Sequence, residues 1–361
     1  MKHFISRVKN KFFSVQGGKE AIDDKTIKSY VFDELKGVLN GQKISMVDVG
    51  GAVNLQPHHH KLIGNTNFFI FEPDERSYRD LVKSVNRYSH PNDFHYINKA
   101  LSGKDGKRTL YLSNAPTGTS ILKLKADQKF FSKDSTYFYP MREVEIETYS
   151  LETVLNQNKV ETFDAIKLDV QGAELEIIKS IDAKRLENVN AIELEICLHD
   201  VYENQTQFCD VLSFMNSKGF SLFDLRNNKG HFPDSYDNFS YQKEYFNTHD
   251  QSPSVSARVW EFDAIFFRDP NWVKENSVSN ERLRKIAAMY CVYNFFGEAI
   301  QIIKSAYNEG KLSEKEFNDI KQFIINWNKK EQGVTLNFDN TLKKDDYQTW
   351  AQYMWVPYPS N

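Results

Sequence analysis

From about residue 44 onward, short apolar runs alternate with stretches whose apolar positions recur every three or four residues. That succession predicts βα units around a mostly parallel sheet, since strands covered on both faces read as apolar runs and the covering helices as amphipathic ones. Strands are expected at Ile44–Val49, Phe68–Phe71, Phe94–Ala100, Ala165–Asp169, Ala191–Ile196, Phe220–Leu225 and Val259–Phe267, with an extra one at Arg108–Leu112. Helices are expected at Ser77–Asn86, Glu174–Ile181 and Phe208–Lys218, the last stopped by Gly219. Two long segments break the alternation. Residues 113–142 hold PTGTS and the aromatic patch Phe130, Phe131, Tyr137, Phe138 and Tyr139, and residues 226–258 are polar and aromatic. Segments of that length in a domain are functional or disordered, and the carboxyl ends of the strands are where open α/β sheets bind ligands.

The pattern changes after Asp269-Pro270. Helices are expected at Glu281–Phe296 and Ser313–Trp327 with no strand signal, followed by a polar tail bearing Trp350, Tyr353, Trp355 and Tyr358. The chain therefore divides into an N-terminal basic helical segment (1–35), an α/β domain (36–270), and a C-terminal helical region with an aromatic tail (271–361). The tail is expected to pack on its own domain or on the mate in a homodimer. Residues 1–13 place Phe4, Ile5, Val8, Phe12 and Phe13 near one helical face, with Lys2, Arg7, Lys9 and Lys11 elsewhere. Docking on the domain is the expected role of that helix, and weak membrane-surface contact is the alternative.

Composition narrows the function classes. A net charge of −3, from 46 basic and 49 acidic residues in 361, argues against a partner held through many phosphates, so no nucleic acid is expected. Cys197, Cys209 and Cys291 are odd in number and widely spaced, which suggests neither a disulfide framework nor a thiolate zinc site. With no apolar run of about 20 residues and no signal-peptide pattern, a cytoplasmic location is expected.

The first strand carries the chemistry. Met46-Val47-Asp48-Val49-Gly50-Gly51 reads as a strand entering a glycine turn, yet Asn54, Leu55 and Gln56 stand where a third glycine of the dinucleotide fingerprint would fall. Asp48, so close to the turn, would repel a pyrophosphate and suits a cofactor that presents a cation. Glu72 follows Gly50 by 22 positions, 72 − 50, at the end of the second strand, where a carboxylate can accept two ribose hydroxyls. A nucleoside without a phosphate but with a positive centre satisfies both, and S-adenosylmethionine is such a molecule. A nicotinamide-dependent oxidoreductase or nucleotide-sugar epimerase would want the complete glycine fingerprint and a Tyr-x-x-x-Lys pair; the first is missing and no convincing example of the second follows the cofactor strands.

The block IKLDVQGAELEIIKS, Ile166 to Ser180, resembles the hallmark of FkbM-type S-adenosylmethionine-dependent methyltransferases, and VDVGG, FEPDERSYRDLVKSVN, KALSGKDGKRTLYL, PTGTSIL and IELEI occur around it in order, over roughly residues 40–268. The resemblance implies a Rossmann-like class I sheet of seven strands, the last antiparallel, and a methyl group moved onto a hydroxyl of a sugar, polysaccharide, glycolipid or similar metabolite. It places Asp48, Gly50 and Gly51 at the methionine end of the cofactor, Glu72 at the ribose, the stretch around Ala100 and Leu101 at the adenine, and Asp169 beside the sulfonium, with Gln171 and Gly172 making the cofactor-side turn after it. The family pattern has an alanine-asparagine pair and another glycine where this chain has Ala52-Val53-Asn54-Leu55, a departure at the cofactor carboxylate. A degenerate methyltransferase-like scaffold in a polysaccharide pathway is the non-enzymatic alternative.

An alcohol acceptor must lose a proton, so a base is expected at the carboxyl ends of the fourth and fifth strands. Asp169, Glu195, His199 and Asp200 are the candidates, with His199 favoured for its titration range and Asp200 beside it. Glu174 and Glu176 read as helix starters, where carboxylates favour the dipole. No catalytic metal is expected, because no adjacent acidic pair stands where metal-dependent O-methyltransferases carry one. His58, His59 and His60 are expected to be a solvated helix start, and the aromatic patch at 130–139 is a candidate platform for a sugar ring.

Overall fold

Successive side chains of a strand point to opposite faces, so a run such as Ile44-Ser45-Met46-Val47-Asp48-Val49 contributes one set of residues to each layer of the protein. In the computed structural model, which describes residues 28–51, 55–125, 140–230 and 259–341, these runs build two sheets. The larger contains seven strands: β1 (Ile44–Val49), β2 (Thr66–Phe71), β3 (Phe94–Ile97), β7 (Ala165–Leu168), β8 (Ala191–Cys197), β9 (Ser221–Gly230) and β10 (Val259–Phe267). Their order is β3-β2-β1-β7-β8-β10-β9. All pairings from β3 to β8 are parallel, and β10 lies antiparallel between β8 and β9. This is the expected class I methyltransferase arrangement, with the last strand antiparallel. The order reverses at β1, which puts a crevice at the carboxyl ends of β1 and β7.

The smaller sheet joins β4 (Ala100–Ser102), β5 (Gly106–Ser113) and β6 (Pro140–Ser150) in the order β4-β6-β5. The expected strand Phe94–Ala100 is thus two strands in two sheets. β6 was not anticipated; its Glu143, Glu145 and Glu147 alternate with Val144 and Ile146, and it pairs antiparallel with β5.

Helices cover both faces of the large sheet. One face packs against α3 (Leu151–Gln157), α4 (Glu174–Lys179), α5 (Ala183–Asn188) and α6 (Phe208–Ser217), through Val47, Val49, Ile166, Leu168, Ile192, Leu194 and Ile196. The expected helix over Glu174–Ile181 ends two residues early, at Lys179 with Ser180 as its cap, and a separate helix, α5, starts after Asp182, whose side chain accepts from the Lys184 amide. The opposite face meets α1 (Phe32–Leu39), α8 (Asn280–Val292), α9 (Phe296–Asn308) and α10 (Glu314–Thr341), while α2 (Glu75–Val85) follows β2 and α7 (Pro270–Glu275) follows β10. Met46, Phe68, Ile70, Ala165, Ile265 and Phe267 join Ile286, Tyr290, Ile303 and Trp327 in one core, so the C-terminal helices complete the sheet's covering. The expected helix Glu281–Phe296 ends at Val292, with Tyr293 as its cap and Asn294 in the left-handed region.

Among the described residues, no helix is long and apolar enough to cross a membrane. The candidate membrane-surface segment 1–13, the aromatic patch 130–139, most of 226–258, the tail aromatics and Ala52–Asn54 lie outside the described residues.

Candidate active site

The glycine turn is dictated by backbone contact. Gly50 has φ +82°, and a Cβ on it would stand 1.8 Å from the Asp169 carbonyl oxygen, so no side chain fits where β1 and β7 leave the sheet together. Its N–H donates to the Phe71 carbonyl at 2.9 Å, and the Asp169 N–H donates to the Val49 carbonyl at 3.0 Å. The carboxyl ends of β1, β2 and β7 are thereby tied into one rim.

Asp48, Glu72 and Asp169 stand on that rim. Asp48 is buried, and its Oδ1 has no hydrogen-bond partner among the described residues, the nearest cation being Lys167 Nζ at 3.9 Å. Burial, opposed by Lys167, raises its carboxyl above the usual range. Such an oxygen is short of one positive partner, and the ammonium of a bound amino acid would supply it. Glu72 accepts the Asp74 N–H at 2.8 Å, and burial lifts its carboxyl to about 8. The Glu72 backbone binds the turn before β4, through its N–H to Ile97 and its carbonyl from the Asn98 side chain. That contact carries Ala100 and Leu101 to the same end of the sheet, although both are buried, Leu101 within the apolar core.

Beyond β7 the chain makes a tight turn in which Gln171 (φ +59°) and Gly172 (φ +106°) are both left-handed. Glu174 fastens it, accepting from the Val170 and Gly172 amides at 3.2 and 3.0 Å, and burial lifts its carboxyl to about 7. It thus caps a turn as well as starting a helix. Gln171 is held on both ends: its Nε2 donates to Asp169 at 3.1 Å and to Glu195 at 2.6 Å, and its Oε1 accepts from Tyr202 at 3.1 Å. Asp169 also accepts from Lys167 at 3.1 Å and shares a hydrogen bond with Glu195. Burial opposes its ionisation, but Lys167, Glu195 and Gln171 outweigh that and hold its carboxyl below the usual value. A small cleft lies against this group, lined by Gln171, Glu195, Cys197, Tyr202 and Glu261 among others.

Asp48, Gly50, Gly51, Glu72, Asp169 and Gln171 are therefore brought together. His199 and Asp200 lie farther along the chain from β8. The His199 carbonyl accepts from Gln205, and Asp200 is exposed and paired with Lys125 at 2.8 Å and with Gln207. Neither lines the cleft; Glu195 does.

The triple histidine is corrected outright. His59 is fully buried and His58 largely so, in a 3₁₀ turn (Pro57–Leu62) facing Glu193. Lys167, Glu193 and Tyr293 also went unnoticed in the sequence. The first two had a signal, as charged residues inside otherwise apolar strands, at positions that alternation assigns to the face of Asp48. Tyr293 had none.

The family described as Methyltransferase FkbM domain matches residues 51–222. No curated protein matches the chain. Among solved structures, it is similar to precorrin-6y C5,15-methyltransferase from Geobacter metallireducens, at 10% identity and TM-score 0.30, covering 68% of this chain and 95% of that one. It is also similar to M. capricolum TrmK, solved with S-adenosyl-homocysteine, at 10% identity and TM-score 0.29, covering 85% and 99%. At such low values neither likeness bears on function. The family match agrees with the motifs and with the seven-stranded sheet: residues 51–222 of the chain match the methyltransferase FkbM domain.

Proposed function

We propose that this protein is an O-methyltransferase acting on a hydroxyl of a sugar, a glycan or a similar polyol. The observation that carries the reading is the Asp169–Glu195 pair, joined through Gln171 at the ends of β7 and β8, with Gln171 and Glu195 lining the cleft. When bound, S-adenosylmethionine supplies a methyl group already activated by its sulfonium. The chain's residues must position the acceptor in line and take its proton. Glu72 would accept the ribose hydroxyls, and Asp48 would meet the ammonium. Glu195 borders the cleft, and the Asp169–Glu195 pair, bridged by Gln171, is the base best placed by geometry to take the proton. Glu195, Glu261 and Glu174 give the cleft an acidic lining, which favours a neutral polyol over a phosphorylated acceptor and supports the expectation of no nucleic-acid partner.

Two variants separate this reading from the alternatives. Glu195→Gln is expected to retain S-adenosylhomocysteine binding in calorimetry and to lose methyl transfer to a panel of glycans by about 10²–10⁴-fold. His199→Ala should keep most of its turnover. The reverse outcome would return the base to His199, whereas no cofactor binding by the unaltered chain would favour the degenerate scaffold.

A further inference from the structure

We propose that His58, His59 and Glu193 hold a divalent transition-metal ion, of the zinc class, beneath the cofactor site. These three side chains converge from the turn after β1 and from the middle of β8, with their ligating atoms within 4.8 Å of one another. Bonds of about 2.0–2.1 Å to a tetrahedral zinc leave neighbouring ligand atoms about 3.3 Å apart. Glu193 Oε2 stands 2.9 Å from His58 Nε2 and 3.4 Å from His59 Nε2. The Tyr293 hydroxyl stands beside them, 3.0 Å from His59 Nε2 and donating to Glu193 Oε2 at 2.5 Å.

Hydrogen bonding leaves this group one atom short. His58 and Tyr293 crowd one oxygen of Glu193 with His59 close behind, while its other oxygen, Oε1, is buried with no partner among the described residues. An unsatisfied oxygen on a buried carboxylate is costly, and a cation bridging the carboxylate removes that cost. Charge points the same way. The carboxylates of Asp48, Asp169, Glu193 and Asp263 all act on the one ammonium of Lys167, and the nearby Arg226 is paired with Asp224 at 2.8 Å. Even with Asp48 protonated, the region holds more negative than positive charge. Two imidazoles and one carboxylate are a donor set for zinc or iron(II) rather than for magnesium or calcium. Such an ion would pin the segment after the glycine turn to β8 and, through Tyr293, to the C-terminal helices.

The test uses the full chain without a histidine tag, purified without chelator. Plasma mass spectrometry is expected to find one equivalent of metal. After stripping, Co²⁺ should produce the visible d–d absorption of a low-coordinate nitrogen–oxygen site, which Zn²⁺ bleaches. His58→Ala, at the rim of the cluster, and Glu193→Gln should each weaken Co²⁺ binding at least tenfold. A stripped wild-type chain that takes up no Co²⁺ overturns the site whatever the variants do. Equal Co²⁺ spectra in wild type and in folded His58→Ala, checked by circular dichroism, overturn it too.

Discussion

The two faces of the central sheet are made by the same strands, yet they hold different materials. Toward α3–α6, the strands present Val47, Val49, Ile166, Leu168, Ile192, Leu194 and Ile196, apolar from end to end. Toward the C-terminal helices, each strand is apolar at one end of the sheet, with Met46, Ala165, Ala191, Ile265 and Phe267, and charged at the other, with Asp48, Lys167, Asp169, Glu193, Glu195 and Asp263. The charged half lies at the carboxyl ends of the parallel strands, where the glycine turn and the cleft are. One face supplies cohesion, and the other trades cohesion for a set of oriented charges whose burial is tolerable only while each has a counterpart.

Removing one member from each face sharpens that contrast. Lys167→Met leaves the Asp48 and Asp169 carboxylates without their ammonium and is expected to cost about 3–5 kcal/mol at pH 7 in denaturant unfolding. The loss should shrink toward pH 4, because buried acids that take up protons no longer need a cation. The sign follows from Asp169, whose lowered carboxyl contributes stability above its unfolded value, and that stability is lost as pH falls through the folded one. Leu194→Ala on the apolar face should cost about 2–5 kcal/mol with no such pH dependence. Equal pH profiles for the two variants would erase the distinction between the faces.

Tyr293→Phe probes the helix side of the charged face. Losing the hydroxyl that meets Glu193 and His59 is expected to cost about 1–3 kcal/mol, read as a fall in Tm. The smallest effect concerns Glu72. Burial holds it protonated below about pH 8, whereas ribose hydroxyls donate to the carboxylate, so binding should release a proton. S-adenosylhomocysteine affinity should therefore rise with pH toward 8, by at most about tenfold per unit, and then level off. Calorimetry in buffers of different ionisation enthalpy measures the proton, and Glu72→Gln should abolish the trend. A flat profile in the wild-type chain would remove Glu72 from the ribose.

The strands were legible because burial on two faces writes itself as apolar runs; β1 and β10 were read to the residue. β6 was missed although Glu143-Val144-Glu145-Ile146-Glu147 alternates, because a half-exposed strand in a small side sheet resembles a charged loop when its partner is unknown. Asp48, Gly50 and Glu72 stood out through spacing and Asp169 through the family resemblance, and all four sit at strand ends that share a rim. The His58–His59–Glu193–Tyr293 group was not, because its members are separated by 135 and 100 positions and meet only when α8 ends over the sheet.

The sequence by itself determined the alternation of strands and helices, the glycine turn with its acidic flank, the second acid at the ribose distance and the kinship to methyltransferases. These are local or periodic properties, set by which side chains a strand or turn of fixed geometry can accept. The tertiary structure alone decided that Glu195 lines the cleft while His199 and Asp200 do not, that Gln171 is clamped between two carboxylates, and that His59 is buried in the core with His58 at its edge. Those outcomes depend on contacts between distant segments, where burial makes each unpaired charge or donor expensive and so selects the one packing that partners most of them.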